Sequence, residues 1–261
     1  MDLNTFTIDQ LPFQTSEALP NNCTKYDVAM GAVPDEKDET NPNMYMDLIF
    51  APGGEQPVPP TPPGPTIETV DLGLSSGTLW AKCNLGAQSE TEYGDYYQWA
   101  ATTPLHIEGT TVNPAAGWEL CPYTDSEGNP SKYTGSDYDT LQTSDDVVAS
   151  QFTGYRMPTQ DDFQELIDET DNEWVEDFNG SGVNGYKFTS KSDSSKYIFL
   201  PAAGYCDDSD LYGVGGEGDY WSSSLNTGYP YGAWRLYFNN EEVGMDNRDR
   251  YFGFSIRAVK A

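Results

Sequence analysis

The densest oxygen donors in this chain lie in two acidic stretches, CDDSDLYG (Cys206–Gly213) and SDYDTLQTSDD (Ser136–Asp146). Hard cations take several oxygen ligands, commonly from loops. One calcium ion on Asp207, Asp208 and Asp210 is therefore the metal site to look for, although neither stretch has the spacing and closing Glu of an EF-hand. The plain alternative is solvated surface acid. The sole histidine, His106, sits in TTPLHIEGTT with no nucleophile-elbow context, so hydrolytic catalysis of the Ser-His-Asp or Cys-His kind lacks its setting. Cys23, Cys83, Cys121 and Cys206 are widely separated, with no C-x-x-C spacing. That argues against structural zinc and fits buried free thiols, while disulfides stay open. Asp161 and Asp162 sit at an expected helix start, where the macrodipole favours carboxylates without any catalytic role. A glycosidase pair depends on a separation in space that sequence does not give.

The other stretch that could do chemistry is Gly218–Ala261, and its chemistry is binding. Apolar or small residues (Trp221, Leu225, Ala233, Leu236, Phe238, Phe254, Ile256) are interleaved with Tyr, Asp, Asn, Arg and Gly. Tyr and Arg carry much of the contact energy at protein interfaces, and Tyr offers large area with few torsions to freeze. In a strand, Arg235 and Tyr237 point outward together while Leu236 and Phe238 point inward. Trp221 and Trp234 fall among the apolar positions and are expected to be structural. VGMDNRDRYFG reads as a loop or turn that brings Asp246 to Phe252 beside that face, and Arg250 is expected to be structural. The alternative is an ordinary twisted sheet with polar turns.

These residues must be held by something, and the chain is organised in three parts. The segment 51–65, within APGGEQPVPPTPPGPT, is a Pro-rich linker of polyproline II character. Before it, residues 1–50 hold two apolar patches, YDVAMGAV and MYMDLIF, around a polar loop. That part is short for a core of its own. It reads as two strands completing a partner's sheet, or as an anchoring or oligomerisation arm, against a disordered leader. After the linker, residues 66–261 form the main domain. TIETVDLGL and TLWAKCNLG read as strands around Ser75-Ser76-Gly77, and GYKFTS and KYIFLPAAGY as two more. YGDYYQWA reads as strand or loop. Residues 108–142 are mostly loop. Asp145–Gln151 is a short helix, and Thr159 with Asp162 forms a capping box opening the helix Gln160–Thr170. Many short strands, few helices and long loops make an α+β domain.

Composition agrees. Hydrophobic content is low at 37%, while aromatic content is 13% and led by 18 Tyr. A net charge of −29 opposes nucleic-acid phosphates and anionic lipid. There is no apolar run of membrane-spanning length, and MDLNTFTIDQLPF lacks the basic and apolar regions of a secretory signal. Either a leader has been removed, or the protein leaves its cell without one, as a virion component does.

Motif order adds a family. VDLGLSSGTLWAKCNLGA, YGDYYQWAATTP, GYRMPTQDDFQEL, LPAAGY, WSSS, AWRLYF, VGM and RYFGFSIRAV follow one another from Val70 to the end. In this they resemble the C-type-lectin-like domains, related in fold to formylglycine-generating enzymes, of gut anaerobic bacteria and their phages. The resemblance implies an α+β, C-type-lectin-like fold with short twisted sheets, preceded by a small arm. Some members look like targets of diversity-generating retroelements, which write mutated template copies into the end of the gene. The ligand-binding residues it implies here are Tyr229, Tyr231, Arg235, Tyr237, Asp246, Arg248, Asp249, Tyr251 and Phe252. Glu241 and Glu242 depart from the Asn-codon pattern. It further implies a non-enzymatic virion surface protein (fibre, decoration or receptor-binding protein) facing a host or mucosal protein or glycan. Virion or pilus proteins would bind residues 1–50, with homo-oligomers expected and no cofactor beyond the possible calcium. The alternative reading keeps the same domain in a bacterial cell-surface or pilus-tip adhesin with its leader removed. An enzyme on the formylglycine-generating scaffold would need core cysteines, and none follows Cys206.

Overall fold

The computed structural model describes the backbone of residues 27–32 and 44–49, and residues 67–260 in full. The chain divides into two compact units, residues 1–62 and 63–261. In the first, β1 (Asp27–Ala32) and β2 (Met44–Ile49) pair antiparallel, within the two apolar patches. Cys23 and the Pro-rich stretch 51–65 lie outside the described residues.

The second unit is built of short strands and, among the described residues, two α-helices. Its elements are β3 (Thr69–Asp71), β4 (Leu79–Ala81), β5 (Tyr96–Tyr97), β6 (Ile107–Glu108), β7 (Thr111–Ala116), α1 (Val147–Gln151), α2 (Gln160–Glu169), β8 (Thr170–Val175), β9 (Gly185–Ser190), β10 (Tyr197–Pro201), β11 (Tyr205–Tyr212), β12 (Glu217–Leu225), β13 (Gly232–Asn239), β14 (Val243–Asp249), β15 (Phe254–Ser255) and β16 (Val259–Lys260). This is the make-up of an α+β or mainly β domain. No helix of the described residues is long and apolar enough to cross a membrane.

The central element is the five-stranded sheet β14-β13-β12-β15-β5. Neighbouring side chains on β12 point to opposite faces. Tyr220 therefore joins Trp80, Phe163, Leu166, Leu236 and Phe238 on one side. Trp221 joins Trp99, Tyr133, Phe254 and Ala233 on the other. Being covered on both faces, β12 uses small polar residues whose hydroxyls find partners: Ser222 Oγ donates to Trp234 O at 2.7 Å, and Ser223 Oγ to Pro158 O at 3.3 Å. Trp221 is fully buried and donates from Nε1 to Tyr97 O at 2.9 Å. Trp234, expected to be buried, is only half-buried.

The helix α2 begins where the sequence indicates. Thr159 caps it, and the reciprocal capping box with Asp162 is formed. Arg156 adds two hydrogen bonds to the Asp162 carboxylate, from Nη1 at 2.6 Å and Nη2 at 3.0 Å. Phe163 and Leu166 are buried against the sheet. The expected short helix is present as α1 but begins two residues later, at Val147; its cap is Asp146, not Ser144 or Asp145, and the Asp146 carboxylate accepts from the Val148 and Ala149 amides.

Two expectations give way. VGMDNRD is strand β14, not loop: it pairs antiparallel along β13, with Arg235 opposite Asp246 and Phe238 opposite Val243. CDDSDLY lies within strand β11, pairing with β7 across a register shift, so the stretch 108–142 also contains a strand. Pairing with a neighbour outweighs the weak strand propensity of Gly, Asp and Asn.

Residues 117–146 have little ladder of their own and are tied by side chains. Asp145 is buried and accepts hydrogen bonds from Tyr123, Tyr133, Ser144 and Lys132. The Lys132 ammonium lies 4.8, 5.0 and 5.5 Å from the rings of Tyr123, Tyr133 and Tyr138. Burial alone would raise the Asp145 pKa, but these hydrogen bonds outweigh it and hold the carboxyl at about 2. A depressed folded pKa stabilises the fold above the ordinary value of 3.8, and that contribution is lost as pH falls through about 2. In urea melts, the stability difference between wild type and Asp145→Asn is expected to be full at neutral pH and to shrink between pH 3.8 and 2. A difference that stays constant across that window contradicts the assignment.

Candidate functional site

Strand register decides which side chains of the terminal segment share a face. Tyr237 lies opposite Gly244, Arg235 opposite Asp246 and Ala233 opposite Arg248. On the neighbouring β12, Asp219 lies opposite Tyr237 and Trp221 opposite Arg235. Arg235, Tyr237, Asp246 and Arg248 are thus brought to one face of the sheet. Leu236 and Phe238 point to the other, into the core under α2.

The remaining candidates join this face through aromatic contacts. Tyr229 and Tyr231 lie 5.4 Å apart between centroids. Tyr231 meets Trp118 edge-on at 6.2 Å, and Trp118 meets Tyr251 at 4.9 Å. Tyr251 stacks on Phe252 at 4.6 Å, Phe252 contacts Tyr205 at 5.9 Å, and Tyr205 contacts Tyr212 at 5.7 Å. The Arg248 guanidinium sits 5.2 Å over Phe252. A continuous belt of rings therefore runs from Tyr229 to Tyr212, and Arg248 ties it to the sheet. Asp249, half-buried, raises the Tyr229 and Tyr251 phenols by its charge, behind the larger effect of burial.

Trp118, Tyr205 and Tyr212 were not among the sequence candidates. Trp118 comes from residues 117–146 and rests on Gly128, whose φ is +83° and where an added Cβ would come within 2.7 Å of the indole. Only glycine fits there. Tyr231 Oη closes the same wall by donating to Asn129 Oδ1 at 2.9 Å. The signal available in sequence was Tyr205 and Tyr212 bracketing the acidic stretch on β11.

Exposure separates the candidates into two sets. Tyr229 and Tyr212 are exposed at 46% and 45%, Asp246 and Arg248 are exposed, and Tyr231, Tyr237, Asp249 and Tyr251 are half-buried. Arg235 and Phe252, expected on the surface, are buried at 5% and 7%. Arg235 is ion-paired to Asp219 and to Asp246, the latter at 3.0 Å, and its guanidinium lies 4.7 Å from the Tyr237 ring. Burial lowers its pKa, and Asp246 opposes that shift. Phe252 is sandwiched among Tyr251, Tyr205 and Phe254. Both residues support the face from beneath. The reason is geometric: β12 carries Asp219 alongside β13, and the turn after β14 folds Phe252 back onto the sheet.

Arg250 fills the structural role expected of it. It is fully buried, and its Nη1 donates to the carbonyls of Tyr133, Lys132 and Pro230 at 3.2–3.3 Å. Nη2 donates to Pro122 O at 3.1 Å. The terminal segment is thereby stapled to the loop that carries Trp118.

The metal candidates are arranged differently from the expectation. Asp207 is half-buried, and Asp208 and Asp210 are exposed along β11. Among the described residues no three His, Cys, Asp or Glu side chains converge as a metal-ligating group, these included. His106 is exposed and paired with Glu108 at 3.2 Å. Cys83, Cys121 and Cys206 are free; burial pushes the Cys206 thiol up to about 12 and Cys121 to about 11, so both are thiols at neutral pH. No family model, no curated protein and no solved structure matches this chain.

The division between support and surface has a measurable consequence. Arg235→Leu strips the buried Asp219 of its counter-charge and is expected to cost about 3–5 kcal/mol. Arg248→Ala, at an exposed site, is expected to cost less than about 0.5 kcal/mol. Denaturant melts of the two variants check this; similar small losses would return Arg235 to the surface set.

Proposed function

We propose that this chain is a non-enzymatic binding protein that presents the Tyr212–Tyr229 belt and the adjoining sheet face to a host-surface or mucosal ligand. The observation that carries this reading is a belt of half-buried rings, open at Tyr212, Tyr229 and Arg248, laid over a buried support. Rings and guanidinium groups of this kind dominate interface energetics when a rigid scaffold holds them in place. The polar-aromatic mix also suits adaptable contacts better than a closed catalytic pocket does.

The motif order supports a C-type-lectin-like scaffold. It also supports the finer reading, that of a phage virion protein such as a fibre, decoration or receptor-binding protein. Residues 1–50 would attach it to the particle or to its own copies, and the exposed positions of the terminal segment, Tyr229, Asp246 and Arg248 among them, would be those that a diversity-generating retroelement rewrites. That assignment has a structural logic. The buried residues of the terminal segment keep the fold, so exposed ones are free to change partner without changing stability.

The test replaces Tyr212, Tyr229 and Arg248 together by Ala and measures adsorption to a panel of intact gut anaerobes and to mucin-coated surfaces. The melting temperature is expected to stay within about 5 °C, since each exposed change shifts stability by only about half a kcal/mol. Adsorption to the cells or surface bound by wild type is expected to be lost. Unchanged adsorption with a folded variant would move the binding site off this face.

A further inference from the structure

Gln98 is 3% exposed, and both N–H bonds of its side-chain amide are taken: Nε2 donates to Gly117 O and to Tyr251 O, each at 2.9 Å. An amide nitrogen carries two donors, so these bonds fix which way the group faces. Its Oε1 is left as an acceptor with no donor among the described residues, and that atom is not sealed from solvent. A nearly buried acceptor without a partner is a group that a ligand N–H or O–H satisfies.

Gln98 lines a cleft of about 510 Å³, within the range of small-molecule sites. Ala101, Pro104, Leu105, Pro114 and Leu120 make its walls apolar, and the Tyr123 ring, 38% exposed, flanks them. Thr102 and Thr103 are exposed and add hydroxyls that make no hydrogen bond among the described residues. Two residues of the lining, Ala100 and Tyr123, have φ of +67° and +61°, where glycine is the ordinary residue. Strained backbone of this kind gathers at ligand sites, where the surroundings hold it.

The cleft offers no free charge. Its carboxylate, Asp145, already accepts from four side chains, and the His106 ring is paired with Glu108. The chain's charge of −29 disfavours an anion. A fitting occupant is then neutral, donates a hydrogen bond to a buried acceptor and has an apolar flank. An acetamido group has both features: its N–H answers Gln98 Oε1, and its methyl suits the wall of Pro104 and Leu105. A sugar ring attached to it brings a C–H face for Tyr123 and hydroxyls for Thr102 and Thr103. We propose that this cleft is a second binding site, for the acetamido group of a neutral N-acetylated sugar. It does not depend on the binding-face reading above.

The test is saturation-transfer NMR and titration on the full chain, with N-acetylglucosamine and N-acetylgalactosamine as probes and glucose and galactose as controls. At least one acetamido sugar is expected to bind, its acetyl methyl receiving the strongest saturation, and its parent sugar to bind about tenfold more weakly. Thr103→Trp, an exposed change that fills the cleft, is expected to abolish binding at an unchanged melting temperature. Gln98→Met keeps the side chain's length and removes the acceptor, so binding about tenfold weaker is expected. It also removes the donors to Gly117 and Tyr251, so Thr103→Trp decides if this variant does not fold. The variant with Tyr212, Tyr229 and Arg248 all changed to Ala is expected to bind the sugar as wild type does. No binding of either acetamido sugar, equal affinity for the parent sugar, or full binding by Thr103→Trp overturns the proposal. Loss of sugar binding in the Tyr212, Tyr229 and Arg248 variant moves the site to the belt and overturns it too. None of these results alters the cell-adsorption test, so the two claims fail separately.

Discussion

A buried guanidinium that has no carboxylate partner among the described residues ties the terminal segment to the rest of this domain. Arg250 spends its two Nη groups on main-chain carbonyls at Pro122, Lys132, Tyr133 and Pro230, which belong to stretches with little ladder to satisfy them. A buried carbonyl without a donor costs free energy comparable to a lost hydrogen bond. The loop that carries Trp118 and Asn129 therefore has its position because the terminal segment supplies those donors. Arg257 repeats the device at the other end of the segment, binding the carbonyls of Ala81, Lys82 and Phe199 and the side chain of Asn84. Both charges are desolvated, which lowers their pKa values.

From this constraint the division of labour follows. Within a few residues the chain alternates between buried groups and exposed ones. Arg250 is fully buried beside half-buried Tyr251; buried Phe252 lies under exposed Arg248; buried Arg235 lies opposite exposed Asp246. Sheet geometry makes such alternation possible, because adjacent residues serve opposite faces. Here the second face is itself covered at its centre by Trp221, Phe254 and Trp99, so only its margin is open.

Much of this was legible in the sequence. Thr159 and Asp162 marked the helix start because a capping box needs those residue types at that spacing. The alternation around Leu236 and Phe238 gave the strand and its inward face. The exposure of its outward face was less legible. Arg235 looked like a contact residue because its partner Asp219 reaches it only through strand pairing. The strand β14 was hidden by Gly, Asp and Asn, whose weak propensity is overridden by β13 alongside. Trp118 gave no signal of its own, since the loop bearing it is placed by Arg250 from the far end of the chain.

The most direct test of this separation is a pair of displayed libraries scored for protease resistance. One randomises Tyr212, Tyr229 and Arg248; the other randomises Arg235, Arg250 and Phe252. The account predicts that most members of the first library are as resistant as the parent, whatever residues they carry. Resistant members of the second should be few and should retain the parental residues, above all Arg250. Equal tolerance in the two libraries, or intolerance in the first, would contradict the claim that a fixed support carries an independently variable face.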